Sequence, residues 1–410
     1  MSKPWTIGAQ LSTSHSSPDL LKFDEMVAAV ERTRSILDLE ILVLGAREIP
    51  EIFSDFTKPA TRPAKQIFVW YNLLADFPGV EDRDLVVNWR GQRSRGWSGW
   101  VQQAADVDET FRFVCPNNPA VRRKAVERLR ALLERYPFDG VFVDKMRFPS
   151  PANGLEDVLS CFCDHCRAGA ATRGLNLGDV ARTIEQTLRG EVPLPARGAP
   201  DEGLGWLADL FGAGSPFARF LRFRLDSVTG LIAELHAAAS DLGRKVALDL
   251  FSPCLAPLVG QDYGRLAAHA AWVKPMTYRV ANGPAGLRLE LPALVDGVTR
   301  LLGPDEASII SWASRHVRGV DEHTLPLSRS AAVPMDLMVA EFAAAVRLAP
   351  TVPVYFGLEL VCHPGVIDIT PELVRDMVRA GLEANVAGTI VSWDLMHAPL
   401  DGLRALAAST

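Results

Sequence analysis

The sequence predicts an α/β fold, a (β/α)8 barrel, and three observations carry that prediction. Short β-branched or aromatic runs recur eight times along the 410 residues. Amphipathic stretches separate them, which is the pattern of parallel strands joined by helices. The composition, 48% hydrophobic and 22% charged, supplies core enough for one barrel domain over residues 1–410, since such barrels run to ~250 residues before insertions.

The eight runs fall at 5–10, 40–44, 66–71, 140–144, 246–250, 272–277, 352–358 and 388–393. Helices between them announce their starts. Asn118 is placed to cap a helix over 119–136, with Pro119 at the first helical position, where a missing N–H costs nothing. Thr370, Pro371 and Glu372 open the helix before the eighth strand in the same way. About 70 residues separate the third and fourth strands and about 100 the fourth and fifth, too many for one helix each. Insertions are therefore expected at about 73–115 and 147–216, with the Gly-, Pro- and Ala-rich 190–216 stretch as a surface excursion.

Charge and hydropathy exclude whole classes of function. The formal net charge of −6 shows no basic excess, so no nucleic acid partner is expected. No run of ~20 apolar residues is present to span a bilayer, and the first residues lack an apolar signal region. The expectation is a cytoplasmic protein with no membrane partner and no organic cofactor; a homo-oligomer is compatible with it.

Four of the six cysteines form a pattern: Cys115 stands alone, and Cys161, Cys163 and Cys166 follow as C-x-C-x2-C. Three cysteines within six residues are hard to explain as core packing, whereas four thiolates brought together by the fold close a tetrahedral zinc site. A full set of four leaves no open position for water, so the expected zinc is structural. It would tie together the segments on either side of the fourth strand.

Strand ends supply the candidate chemistry, because in such barrels the loops after them carry the active site. Asp144 closes the fourth run, Glu359 the seventh, Asp249 interrupts the fifth, and Asp394 follows the eighth. Acids at apolar strand ends cost desolvation unless paired, hydrogen-bonded or placed at a ligand site. Carboxyl pairs across a barrel mouth are the machinery of glycoside hydrolysis, one as general acid and the other as nucleophile or base. Arg147, Lys274, Tyr278 and His397 follow or sit near strand ends, where they can hydrogen-bond a small-molecule or oligosaccharide substrate. Trp70, Trp89, Trp97, Trp100 and Trp393 offer flat faces for sugar rings, with one or two expected to touch ligand. The eight histidines form no H-x-H or H-E-x-x-H motif, and no G-x-S-x-G elbow occurs, which argues against a metallohydrolase or a serine hydrolase.

Two runs carry a family resemblance. Cys115-Pro116-Asn117-Asn118-Pro119, then a helix, a strand and Cys161-x-Cys163-x2-Cys166, resembles the arrangement in family 42 glycoside hydrolases, barrel β-galactosidases whose members can bind zinc through such cysteines. Asp144-x-x-Arg147-Phe148-Pro149 is similar to a run in uncharacterised glycosidase-like barrels. The resemblance is motif-level over 113–166 and implies a glycosidase. Its β-galactosidases use an Asn-Glu acid/base after the fourth strand and a Glu nucleophile after the seventh. Glu359 matches the second position, whereas Val143-Asp144-Lys145 stands at the first. The expected pair is thus Asp144 and Glu359, retaining if their carboxyl groups lie ~5 to 5.5 Å apart. In other barrel glycosidases an Asp ending the fourth strand is the nucleophile, and the acid comes from a later strand; Asp249 and Asp394 are the reserves. A barrel that binds carbohydrate without cleaving it is the alternative.

Overall fold

Eight parallel strands curl into a barrel, as the alternation predicts: β1 (Thr6–Ser12), β2 (Ile41–Gly45), β3 (Gln66–Asn72), β4 (Gly140–Asp144), β5 (Lys245–Phe251), β6 (Trp272–Met276), β7 (Tyr355–Glu359) and β8 (Gly388–Ser392). The computed structural model describes residues 5–13, 23–45, 47–97, 99, 110–189, 215–302, 311, 332–363 and 366–410. Trp100 and most of the 190–216 stretch lie outside them. Strand order is β6-β5-β4-β3-β2-β1-β8-β7. A parallel bridge between Val273 and Val354 brings β6 against β7 and closes the ring.

That seam is thin for a reason written in the sequence. Val273 N–H donates to the Pro353 carbonyl at 3.1 Å, so Val273 and the residue two beyond it face β7. The residue two beyond is Pro275, which has no N–H to give. Regular β7 likewise begins only at Tyr355, after Pro353, and not at 352.

Period-two alternation gives the barrel two packed faces. Outward residues meet the helices in the main core. Inward residues form a separate cluster of Ile41, Val43, Phe68, Trp70, Phe142, Ala247, Trp272, Tyr355 and Ile390. Phe142 and Trp272 stack there, ring centroids 5.4 Å apart. Trp70 is therefore a lining residue of the lumen.

The helices start where their caps say. The Asn118 side chain accepts from Ala120 N–H at the head of the Pro119–Arg135 helix, and Thr370 accepts from Leu373 N–H at the head of Pro371–Glu383. Ser215 caps Pro216–Asp241 in the same manner. Segments on the two sides of β4 are built on each other: Asn88 bridges Ser160, and Phe162 N–H donates to the Val87 carbonyl at 2.7 Å. Among the described residues no helix is long and apolar enough to cross a membrane.

Candidate functional site

One step toward the strand C-termini from the apolar cluster, the same inward parity delivers polar side chains. Asn72 on β3 is in register with Asp144 on β4, and Asp249 on β5 with Lys274 on β6. Val143 pairs with Leu248, so Asp144 and Asp249 follow as neighbours on adjacent strands. Gln10, Ser392 and Glu359, the last in register with Ser392, share that parity, and all three are buried. Three buried polar atoms in this layer have no hydrogen-bond partner among the described residues: Gln10 Nε2, Asn72 Oδ1 and Asp249 Oδ1. Buried polar groups are nearly always paired, so a cluster of orphans marks a place for a bound ligand or water.

Lys274 is the centre of this layer. Its Nζ lies 3.0 Å from Asp249 Oδ2, 2.9 Å from Gln10 Oε1, 3.0 Å from Tyr278 Oη and 3.3 Å from Ser392 Oγ. Space for the stem and for Tyr278 comes from Gly357 on β7, where a Cβ would stand 2.9 Å from Tyr278 Cε1 and 3.2 Å from Lys274 Cε. Burial pushes the Asp249 carboxyl up to about 8, with the Lys274 cation opposing. Burial lowers Lys274, but Asp249 outweighs it and holds the ammonium above its ordinary value.

Asp144 is set by two N–H donors: Trp70 Nε1 at 3.0 Å to Oδ2, and Lys145 N at 2.5 Å to Oδ1. Lys145 adopts φ +52°, a left-handed turn that a non-glycine residue adopts at some cost. The turn sends its ammonium 2.6 Å from Asp76 Oδ2 and over the Phe111 ring. Burial raises Asp76, but Lys145 and the hydrogen bonds from Thr110 together more than offset it and leave that carboxyl below its usual range. Arg147 is buried between the rings of Phe113 and Phe251, each 4.4 Å from its guanidinium carbon, and donates to the Phe148 carbonyl at 3.0 Å. Burial lowers it to about 10, against the fields of Glu290 and Asp144.

Glu359 is fully buried, and both its oxygens face backbone: Oε1 accepts Arg279 N and Val280 N at 2.6 Å each, and Oε2 accepts Ala281 N at 2.9 Å. Burial pushes it up to about 7 against those three bonds. Glu290 does the same work elsewhere, accepting Ser150 Oγ, Ala152 N and Ala285 N at 2.8 Å. Asp394 accepts from Ser12 N and Met396 N. Trp393 is half-buried, edge-on to Tyr278, and exposed His397 lies ring to ring with His363 at 4.6 Å. Of the other tryptophans, Trp89 is buried with its Nε1 on Glu185 Oε1, and Trp97 packs against Phe111.

The structure thus brings Asp144, Asp249, Lys274 and Tyr278 together around the lumen, with Trp393 against Tyr278. Glu359 and Asp394 hold loop backbone at its rim, and His397 stands apart on the surface. Sequence reasoning passed over Gln10, Asn72 and Ser392; the period-two parity of β1, β3 and β8 was the signal that would have found them.

The four cysteines do converge. The sulfurs of Cys115, Cys161, Cys163 and Cys166 lie within 4.8 Å of one another. Cys115 Sγ is 3.4 Å from both Cys163 Sγ and Cys166 Sγ. These separations are too long for disulfides and close to the ~3.8 Å edge of a tetrahedron with ~2.3 Å metal–sulfur bonds. N–H donors surround the sulfurs: Val87 N on Cys161, Asn117 N on Cys115, and Asn117 Nδ2 on Cys166. Such donors stabilise thiolates and orient them, so the residues fit a divalent metal held by sulfur alone.

No protein-family model matches the chain, and no curated protein matches it in sequence. Solved structures do match in shape. The glycoside hydrolase domain of PgaB (BpsB) from Bordetella bronchiseptica aligns over 96% of this chain and 94% of its own, with TM-score 0.56 and 14% identity. A β-galactosidase from the psychrophilic Marinomonas ef1 aligns over 98% of this chain and 58% of its own, with TM-score 0.54 and 11% identity. The catalytic domain of a β-amylase from Paenibacillus polymyxa aligns over 96% and 94%, with TM-score 0.50 and 9% identity. At these identities the likeness establishes the barrel fold.

Proposed function

We propose that this chain is a glycoside hydrolase acting on a carbohydrate or glycoside, with Asp144 and Asp249 as its reacting carboxyl pair. The observation that carries the reading is the polar layer at the C-terminal mouth, with its orphaned buried atoms and two acids on adjacent strands. Support of a weaker kind comes from barrels of the same shape whose names are those of carbohydrate-active enzymes. In this reading Asp249, held protonated at neutral pH by burial, gives its proton to the leaving oxygen as the anomeric C–O bond breaks. Lys274 then neutralises the Asp249 carboxylate. Asp144, oriented by Trp70 and Lys145, attacks the anomeric carbon, and Asp249 takes a proton from the water that later displaces it. Adjacent strands lie ~4.8 Å apart, and a retaining outcome follows if the two carboxyl groups stand ~5 to 5.5 Å from each other.

Glu359, the nucleophile expected from the family resemblance, is read here as the clamp on residues 279–281, the loop that follows Tyr278. Its oxygens are already occupied by backbone N–H groups. Turnover of Asp144→Asn, Asp249→Asn and Glu359→Gln on a panel of glycosides separates the readings. The first two should lose about 10³-fold or more in kcat with the fold intact, and Glu359→Gln should keep measurable activity. Loss in Glu359→Gln with full activity in Asp249→Asn would restore Asp144 and Glu359 as the pair. A sugar-dependent rise in Tm with no product from the unaltered chain would make it a carbohydrate-binding barrel. Anomeric NMR of the first product should show retention.

We also infer that the cysteine cluster holds a structural zinc. A sulfur-only donor set with tetrahedral spacing supports the metal's identity and leaves it no open position for chemistry.

A further inference from the structure

Behind the cysteine cluster lies a charge with no visible counterpart. Arg224, on the Pro216–Asp241 helix, is fully buried, and its Nε, Nη1 and Nη2 have no hydrogen-bond partner among the described residues. Its guanidinium carbon lies 4.4 Å from the centre of the Phe148 ring and 5.8 Å from that of Phe220. Aromatic faces alone do not replace the hydration of a guanidinium, which an uncompensated buried charge forfeits. The Phe220 ring packs in turn on Phe162, between Cys161 and Cys163, with centroids 4.9 Å apart, and the favourable fields on the guanidinium come from Cys161 and Cys166. One turn on, the same helix holds a neighbour of the cluster: Ser227 Oγ accepts from Asn117 Nδ2 at 2.9 Å, the amide that also donates to Cys166 Sγ.

We propose that Arg224 is the counter-charge of a dianionic tetrathiolate metal centre formed by Cys115, Cys161, Cys163 and Cys166. The proposal rests on the metal reading above. Four thiolates around a divalent cation leave a net charge of about −2. A fixed guanidinium nearby halves that charge without competing for a ligand position, because it forms no hydrogen bond to sulfur. Arg224 is a positioning residue for the metal, and it takes no part in the hydrogen bonds of the polar layer described above.

The test is a chelator competition on the full chain with Co²⁺ as the probe, followed through the thiolate-to-cobalt charge-transfer band, with the melting temperature read in parallel. The unaltered chain should give the absorption of a tetrahedral tetrathiolate site. Arg224→Met should bind Co²⁺ about 10- to 100-fold more weakly, the usual effect of losing an outer-shell partner. Arg224→Lys, which keeps the charge, should recover most of that loss and stays informative if the Met variant fails to fold. The sign of the thermal shift is diagnostic. Arg224→Met should lower the Tm of the cobalt-loaded protein and raise that of the chelated protein, in which the arginine has nothing to balance; a packing role would lower both. Unchanged affinity in Arg224→Met, or a Lys variant as weak as the Met variant, overturns the proposal while leaving the metal site standing. An unaltered chain that shows no thiolate band removes the metal reading itself.

Discussion

The cysteine cluster and the polar layer of the barrel mouth flank the same strand, β4, and are assembled in opposite ways. The cluster takes three of its four sulfurs from six consecutive residues, and the fourth from the loop just before the helix leading into β4. The polar layer takes its side chains from strands spread from β1 to β8, with Gln10 and Ser392 nearly the whole chain apart. A site built from local spacing is visible in one dimension, whereas one built from register exists only after the sheet has closed. The two also manage buried charge differently. The layer pairs Lys274 with Asp249 directly at 3.0 Å, whereas Arg224 has no hydrogen-bond partner among the described residues.

The contrast can be broken by experiment, and the largest effect is expected at Lys274. Lys274→Met removes the cationic donor shared by Asp249, Gln10, Tyr278 and Ser392 in a fully buried place, and should cost about 3 kcal/mol of stability in urea unfolding. Removing that cation also removes the influence that lowers the Asp249 pKa. In the folded variant the alkaline limb of kcat/KM should therefore move to higher pH from its position near the about 8 of the unaltered acid. A limb that stays in place would show that Asp249 is not the group it reports.

A smaller effect per group follows from pH alone. Burial raises Asp249 to about 8, and Glu341 and Glu359 to about 7, all above their unfolded values. The folded chain therefore binds these protons more tightly than the unfolded chain, so the associated stability falls as pH rises from about 4 to about 8. The urea midpoint should be lower at pH 8.5 than at pH 6, each group contributing the equivalent of about 1–3 kcal/mol. A rising midpoint over that range would mean that these carboxyls are ionised in the folded state. The smallest effect belongs to the cluster side. Asn118→Ala removes the cap on the Pro119–Arg135 helix and the bond from its Nδ2 to Asp84, at a cost of about 1 kcal/mol in thermal unfolding. It should leave kcat unchanged, because it lies on the cluster side of β4.

How much could be read in advance follows the same division. All eight strands were legible, since a parallel strand buried on both faces is an apolar run whatever its neighbours are. The start of β7 was not, because Pro353 shortens regular pairing although its neighbours are apolar. Asp144, Asp249 and Lys274 were found because charges at apolar strand ends stand out. Gln10, Asn72 and Ser392 were not, since uncharged polar residues at such places draw attention only once parity is assigned. Glu359 was legible as a strand-end acid, but its environment was not: the three N–H groups on it come from a loop about 80 residues earlier in the chain. Arg224 sat unnoticed on an amphipathic helix, because one charge on such a helix ordinarily faces water.

The thin seam between β6 and β7 gives Lys274 a second duty. From β6 its ammonium crosses the lumen to Gln10 on β1 and Ser392 on β8, reaching past β7 to the far side of the gap that Pro275 leaves. It is a spoke fastened from within, holding the ring where the rim is weakest. A residue that braces the wall cannot be exchanged freely to suit a new ligand. Diversification of this mouth would then fall to the loops above the layer, while the spoke itself stays put.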